Sequence, residues 1–127
     1  MNKQTWEAKL KNSEGHQAPD DYIGGEGTKP NSDFIVSYTK NNSVASRYED
    51  MTWDYTAYSS NGRYGALRFS EWCKNDLSLK NKFIIDEMKW ILFLLIYIQN
   101  KDQLSTSTLQ DYLYCLTYLA KYASKKK

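Results

Sequence analysis

The stretch KWILFLLIYIQ, residues 89–99, carries nine apolar or aromatic side chains in a row, Trp90 to Ile98. Its length rules out a membrane span, because crossing the hydrocarbon core takes about 20 largely apolar residues. Asp86, Glu87 and Lys89 flank it on one side, Lys101 and Asp102 on the other. Burying each of these side chains fully contributes about 1.5–3 kcal/mol. A helix apolar on every side belongs inside a larger packed unit, so the central question is what covers it.

Working outward, residues 83–99 read as one helix and 105–123 as a second, joined by a short polar connection. Ser105 is placed as N-cap, its oxygen accepting from the amide of Ser107 or Thr108, and Leu104 and Leu109 as a hydrophobic staple. Leu109, Leu113, Leu116, Ala120 and Ala123 recur at helical spacing and make one apolar face. Lys121 and the cluster Lys125, Lys126 and Lys127 suit the negative end of the helix dipole. So short a joint predicts an antiparallel helical hairpin, and hence a mainly α fold.

The front of the chain is less regular. Residues 1–33 hold both prolines and few apolar side chains, the composition of a flexible arm, and residues 34–127 form a single domain. Residues 33–38 read as a short extended piece. Residues 42–51 are expected as a short helix capped by Ser43, with Val44, Tyr48 and Met51 on one side. Residues 52–69, with alternating Trp53, Tyr55 and Ala57 and the turn pair Asn61-Gly62, suggest a small β-hairpin. Trp53 and Trp72 are most simply core aromatics. The Gly24–Gly27 run GGEG lacks the Lys-Ser/Thr and following helix of a phosphate loop.

Charge divides the chain. Residues 1–60 carry six Lys/Arg against nine Asp/Glu, a net of −3, and residues 61–127 eleven against six, a net of +5. A basic rear half suits either a polyanion or solvated helix faces. Two cysteines without CxxC spacing fit a reducing cytoplasm. The single His16 supports neither a His/Cys metal set nor a nucleophile–base pair, so no cofactor or catalytic residue is expected. Residues 1–10 are polar, without the apolar stretch of a signal peptide, so none is expected.

The second helix also carries the pattern S-x-x-T-L-x-x-Y-x-x-x-L-x-x-L-x-x-Y in Ser105, Thr108, Leu109, Tyr112, Leu116, Leu119 and Tyr122. Together with the preceding hydrophobic helix, this resembles the first helical hairpin of the core-binding domain of tyrosine recombinases, the phage integrases. The resemblance covers about residues 83–124. It implies a SAM-like helical domain that clamps duplex DNA while a separate catalytic domain cuts it. The family's His-x-x-Arg and tyrosine nucleophile have no counterpart here, which implies a non-catalytic N-terminal fragment of a longer protein.

On that reading the DNA contacts would be Lys101, Ser105, Thr106, Ser107, Thr108, Lys121, Lys125, Lys126 and Lys127. Free amides, hydroxyls and ammonium groups at helix ends suit phosphate; plain capping and solvated charge explain the same residues. Arg63 and Arg68 are further cations in the extended region. Tyr114, Tyr118 and Tyr122, at i, i+4 and i+8, have the spacing of a half-buried packing edge more than of a base-stacking platform. The alternative function is a helical protein–protein interaction domain. Residues 90–98 are expected mostly buried, with a homo-oligomer completing their cover.

Overall fold

A computed structural model describes residues 5–6, 20, 22–23, 28–59, 65–74, 76–98 and 105–125. It contains six short strands and two long helices: β1 (Thr5–Trp6), β2 (Tyr22–Ile23), β3 (Ile35–Tyr38), β4 (Val44–Arg47), β5 (Thr52–Asp54), β6 (Ala66–Arg68), α1 (Leu79–Ile98) and α2 (Thr106–Lys125). The strands form three antiparallel pairs, β1 with β2, β3 with β4 and β5 with β6. The expected helical hairpin is present, but the fold is mixed α and β rather than mainly α.

The β5–β6 pair follows the expected hairpin over residues 52–54 and 66–68, while Ala57 falls in a tight helical turn, Thr56–Tyr58, and not in the strand. Trp53 opposes Leu67, and both are buried while Thr52, Asp54 and Arg68 face outward, the two-residue alternation of a half-buried strand. Phe69 continues the ladder by donating its amide to the Met51 carbonyl. The extended reading of residues 33–38 also holds, as β3.

Residues 42–51 are a correction: they form β4 and a turn, not a helix. Ser43 does not cap a helix; its amide is taken by Thr39 Oγ1. Asn42 adopts a left-handed φ of 63°, which turns the chain from β3 back into β4. Tyr48 is buried, but Val44 and Met51 are exposed, so the three do not share one face.

α1 answers the opening question. After Asn81, its buried residues are Ile85, Met88, Lys89, Leu92, Phe93, Ile96 and Tyr97, which recur at i, i+3, i+4, i+7, i+8, i+11 and i+12, a single stripe. The front half of the chain covers it with rings. Tyr22 meets Phe93 edge-on at 5.0 Å, Phe34 meets Phe93 at 5.5 Å, and Tyr48 meets Phe93 at 5.5 Å. Trp53 and Phe69 pack edge-to-face at 4.7 Å in the same core. Such pairs contribute about 0.5–1.5 kcal/mol each beyond the area they bury. Within residues 90–97, Leu92, Phe93, Ile96 and Tyr97 are buried, Trp90, Leu94 and Leu95 half-buried, and Ile91 exposed. The cover therefore comes from the same chain.

Lys89, read above as a polar flank, lies inside that stripe and is only 4% exposed. Its ammonium donates to the Tyr48 carbonyl at 3.0 Å and sits 5.9 and 5.8 Å from the Tyr48 and Phe69 ring centres. Burial pulls its pKa down, while the charges of Asp86, Asp50 and Glu49 work against that shift. On the outer side Lys29 bonds Asp86 and Glu87 at 2.8 and 2.9 Å.

α2 lies antiparallel to α1, since Lys80 near the start of α1 donates to the Ser124 carbonyl near the end of α2. It buries Thr106, Leu109, Leu113 and Ala120, and Gln110 ties it to the β6 carbonyl of Ala66. No helix among the described residues is long and apolar enough to cross a membrane.

Candidate nucleic-acid interface

Among the described residues no three His, Cys, Asp or Glu side chains converge to hold a metal; the candidate site is made of cations and rings. α2 turns about 100° per residue, and its buried stripe leaves two different flanks. On one flank Gln110, Tyr114, Thr117 and Lys121 line a cleft of about 450 Å³. The opposite wall is β6 and the turn after it, with Arg68, Glu71, Trp72 and Lys74.

That wall is shaped locally. Residues 71–73 make one tight helical turn. Lys74 ends it in a left-handed conformation, φ 49°, its amide returning to the Glu71 carbonyl at 3.4 Å. The Cys73 thiol donates to the Ser70 carbonyl at 3.0 Å. Trp72 is half-buried, and its indole N–H has no hydrogen-bond partner among the described residues. Three cations and one carboxylate thus border a cleft with two aromatic side chains.

The same flank continues into the tyrosines. Tyr114 and Tyr118 lie 5.7 Å apart, tilted by 30°, and Lys121 Nζ stands 5.8 Å from the Tyr118 centroid. Tyr114, Tyr118 and Tyr122 are 65%, 64% and 63% exposed. This corrects the half-buried packing edge: a four-residue step carries each ring a further ~40° round the helix, and all three fall away from the side of Leu109, Leu113 and Ala120.

The residues expected to touch DNA fall into two separate groups. At the start of α2, Ser105 Oγ accepts from the Thr108 amide at 3.2 Å and lies 3.1 and 2.9 Å from the Ser107 and Thr108 hydroxyls. This is the cap the spacing predicts, with the hydroxyls engaged with one another. Thr106 is buried, 6% exposed, and Ser107 is exposed. Lys121 and Lys125 are exposed at the other end, about 24 Å or more away at ~1.5 Å per residue. Lys101, Lys126 and Lys127 lie outside the described residues, as do Leu104, Arg63, the Asn61-Gly62 turn and the GGEG run.

Arg68, Lys74, Trp72 and Gln110 are the site residues that sequence reasoning passed over or gave another role. One pattern points to Gln110: with Tyr114, Thr117 and Lys121 it repeats at i, i+4, i+7 and i+11, a polar and aromatic stripe beside the apolar one. Comparison with known proteins returns no matching family model, no matching curated protein and no matching solved structure.

Proposed function

We propose that this chain is a non-catalytic DNA-binding segment, akin to the core-binding arm of a tyrosine recombinase, which would hold duplex DNA for a separate catalytic domain. The observation that carries this reading is the gathering of Arg68, Lys74 and Lys121 around one cleft. Lys125 follows one helical turn after Lys121, and Lys80 is drawn to the same helix end by its bond to Ser124. Cations clustered on one surface make a phosphate-binding footprint. The SAM-like fold belongs to the same proposal: the antiparallel hairpin agrees with it, and the three strand pairs are an addition to it.

The test is titration of a labelled duplex at increasing salt. If about four lysines and arginines neutralise phosphates, log K falls with log salt at a slope near −3.6, with non-specific Kd values of about 10⁻⁴–10⁻⁶ M at physiological salt. Lys74→Ala combined with Lys121→Ala is expected to weaken binding and shallow the slope by about 2. Salt-independent binding, or none, removes the proposal.

A second reading, self-association as a helical interaction domain, is favoured by apolar side chains on the outer faces of the hairpin. Leu79, Phe83 and Leu119 are 87%, 66% and 66% exposed, and an exposed apolar patch marks a contact surface when its members are contiguous. Sedimentation across a wide concentration range decides it, a monomer throughout being the negative result.

A further inference from the structure

We propose that the cleft and the rings of Tyr114 and Tyr118 beside it form a stacking site for an unpaired stretch of a nucleic-acid strand. The inference rests on the nucleic-acid-binding reading and specifies which form of nucleic acid this flank takes.

The rings come first. Tyr114 and Tyr118 sit more than about 100° round the helix from the buried side of α2, and both stay about two-thirds exposed. They are neighbours at 5.7 Å, tilted by 30°. Tyr114 also lines the cleft, where Trp72 stands on the opposite wall.

The charges come second. Lys121 Nζ lies 5.8 Å from the Tyr118 ring centre, and Arg68 and Lys74 line the wall beyond it with Glu71 as the single acid. Cations interleaved with exposed rings select a ligand with flat π-faces on an anionic backbone. A fully paired duplex offers the backbone but keeps its base faces inside the stack. An unpaired stretch offers both, and a cleft of about 450 Å³ has room for more than a phosphate alone.

The experiment compares two labelled duplexes of the same sequence, one fully paired and one with a short unpaired thymidine loop, titrated with the whole chain by anisotropy. The looped duplex is expected to bind about tenfold tighter, as one stacked base on an aromatic ring would give. In Tyr114→Ala/Tyr118→Ala, whose sites are exposed and whose fold is checked by circular dichroism, the ratio should fall to near one. A ratio near one in the unaltered chain, with the paired duplex still bound in a salt-dependent way, overturns this inference and leaves the DNA-binding reading standing. Absence of binding to either duplex overturns both. If the double variant changes the sedimenting species but not the affinity ratio, the stripe is a contact between copies of the chain and the inference fails.

Discussion

At Gly65 the returning strand passes so near the backbone of Thr56 that an added Cβ would lie 2.3 Å from Thr56 Cα, while the Gly65 carbonyl accepts the Tyr55 amide at 2.7 Å. Both sides of that approach are backbone, so neither can swing aside. Gly65→Ala is expected to destabilise by about 1–3 kcal/mol, as overpacking does, read as a lower denaturant midpoint. The buried tyrosines make a different prediction. Burial raises the pKa of Tyr22, Tyr48 and Tyr55, and takes Tyr38 and Tyr58 to about 12. Tyr38 also donates to Asp20 at 2.6 Å, and the Tyr58 hydroxyl accepts the Tyr38 amide at 3.2 Å. An unfolded tyrosine ionises near pH 10, so the unfolded chain loses these protons before the native one does. Stability from this source is intact below pH 10 and falls as pH rises from 10 toward 12. Lys89 works the other way, releasing its proton earlier in the fold and adding stability as pH climbs toward its unfolded value of 10.5. With five tyrosines against one lysine, net alkaline unfolding is expected. It should be visible as tyrosinate absorbance that rises together with the loss of helical circular dichroism.

At the scale of elements, α2 was the most legible part of the chain. Its apolar positions lie on one stripe and Ser105 stands just before them, so its start and cap could be read directly, while its end runs to Lys125, two residues past the expected 123. Ser105→Ala should cost about 1 kcal/mol. Leu109→Ala, at a fully buried position, should cost about 2–5 kcal/mol, and Leu116→Ala, half-buried, visibly less; equal losses in a denaturant titration would mean the helix is rotated. α1 was harder, because an apolar sequence on every side does not say which side is inside. Its start, at Leu79 rather than 83, depends on Asp76, whose carboxylate takes the Ser78 amide and whose carbonyl takes the Asn81 side chain. β4 departs from the expected helix because strand pairing with β3 outweighs the local start signal at Ser43. The cleft was hardest of all: Arg68 and Lys74 meet Lys121 only through the docking of β6 and its turn on α2, a tertiary fact no single window contains.

Across the whole molecule, the two halves share one core instead of resting on each other. Phe93 alone touches rings from Tyr22, Phe34 and Tyr48, and Lys89 joins α1 to the carbonyl that also accepts the Trp53 indole. The exposed pairs of Lys29 contribute little next to this. A fragment holding only residues 76–125 would strip Phe93 of the rings of Tyr22, Phe34 and Tyr48. It is expected to unfold without a sharp transition and to bind a hydrophobic dye, whereas the full chain unfolds in one step; a cooperative, dye-free hairpin would show the halves to be independent. The same interlocking has a consequence during synthesis. The Tyr97 hydroxyl bonds the Asp20 carbonyl across 77 residues, and at about 5–20 residues per second a ribosome needs about 4–15 s to travel between them. Through that interval Tyr22, Phe34, Trp53 and Phe69 are made one after another, before the helix they pack on is complete. A nascent chain halted before Phe83 should therefore be cut by protease along its whole exposed length, while the finished chain resists.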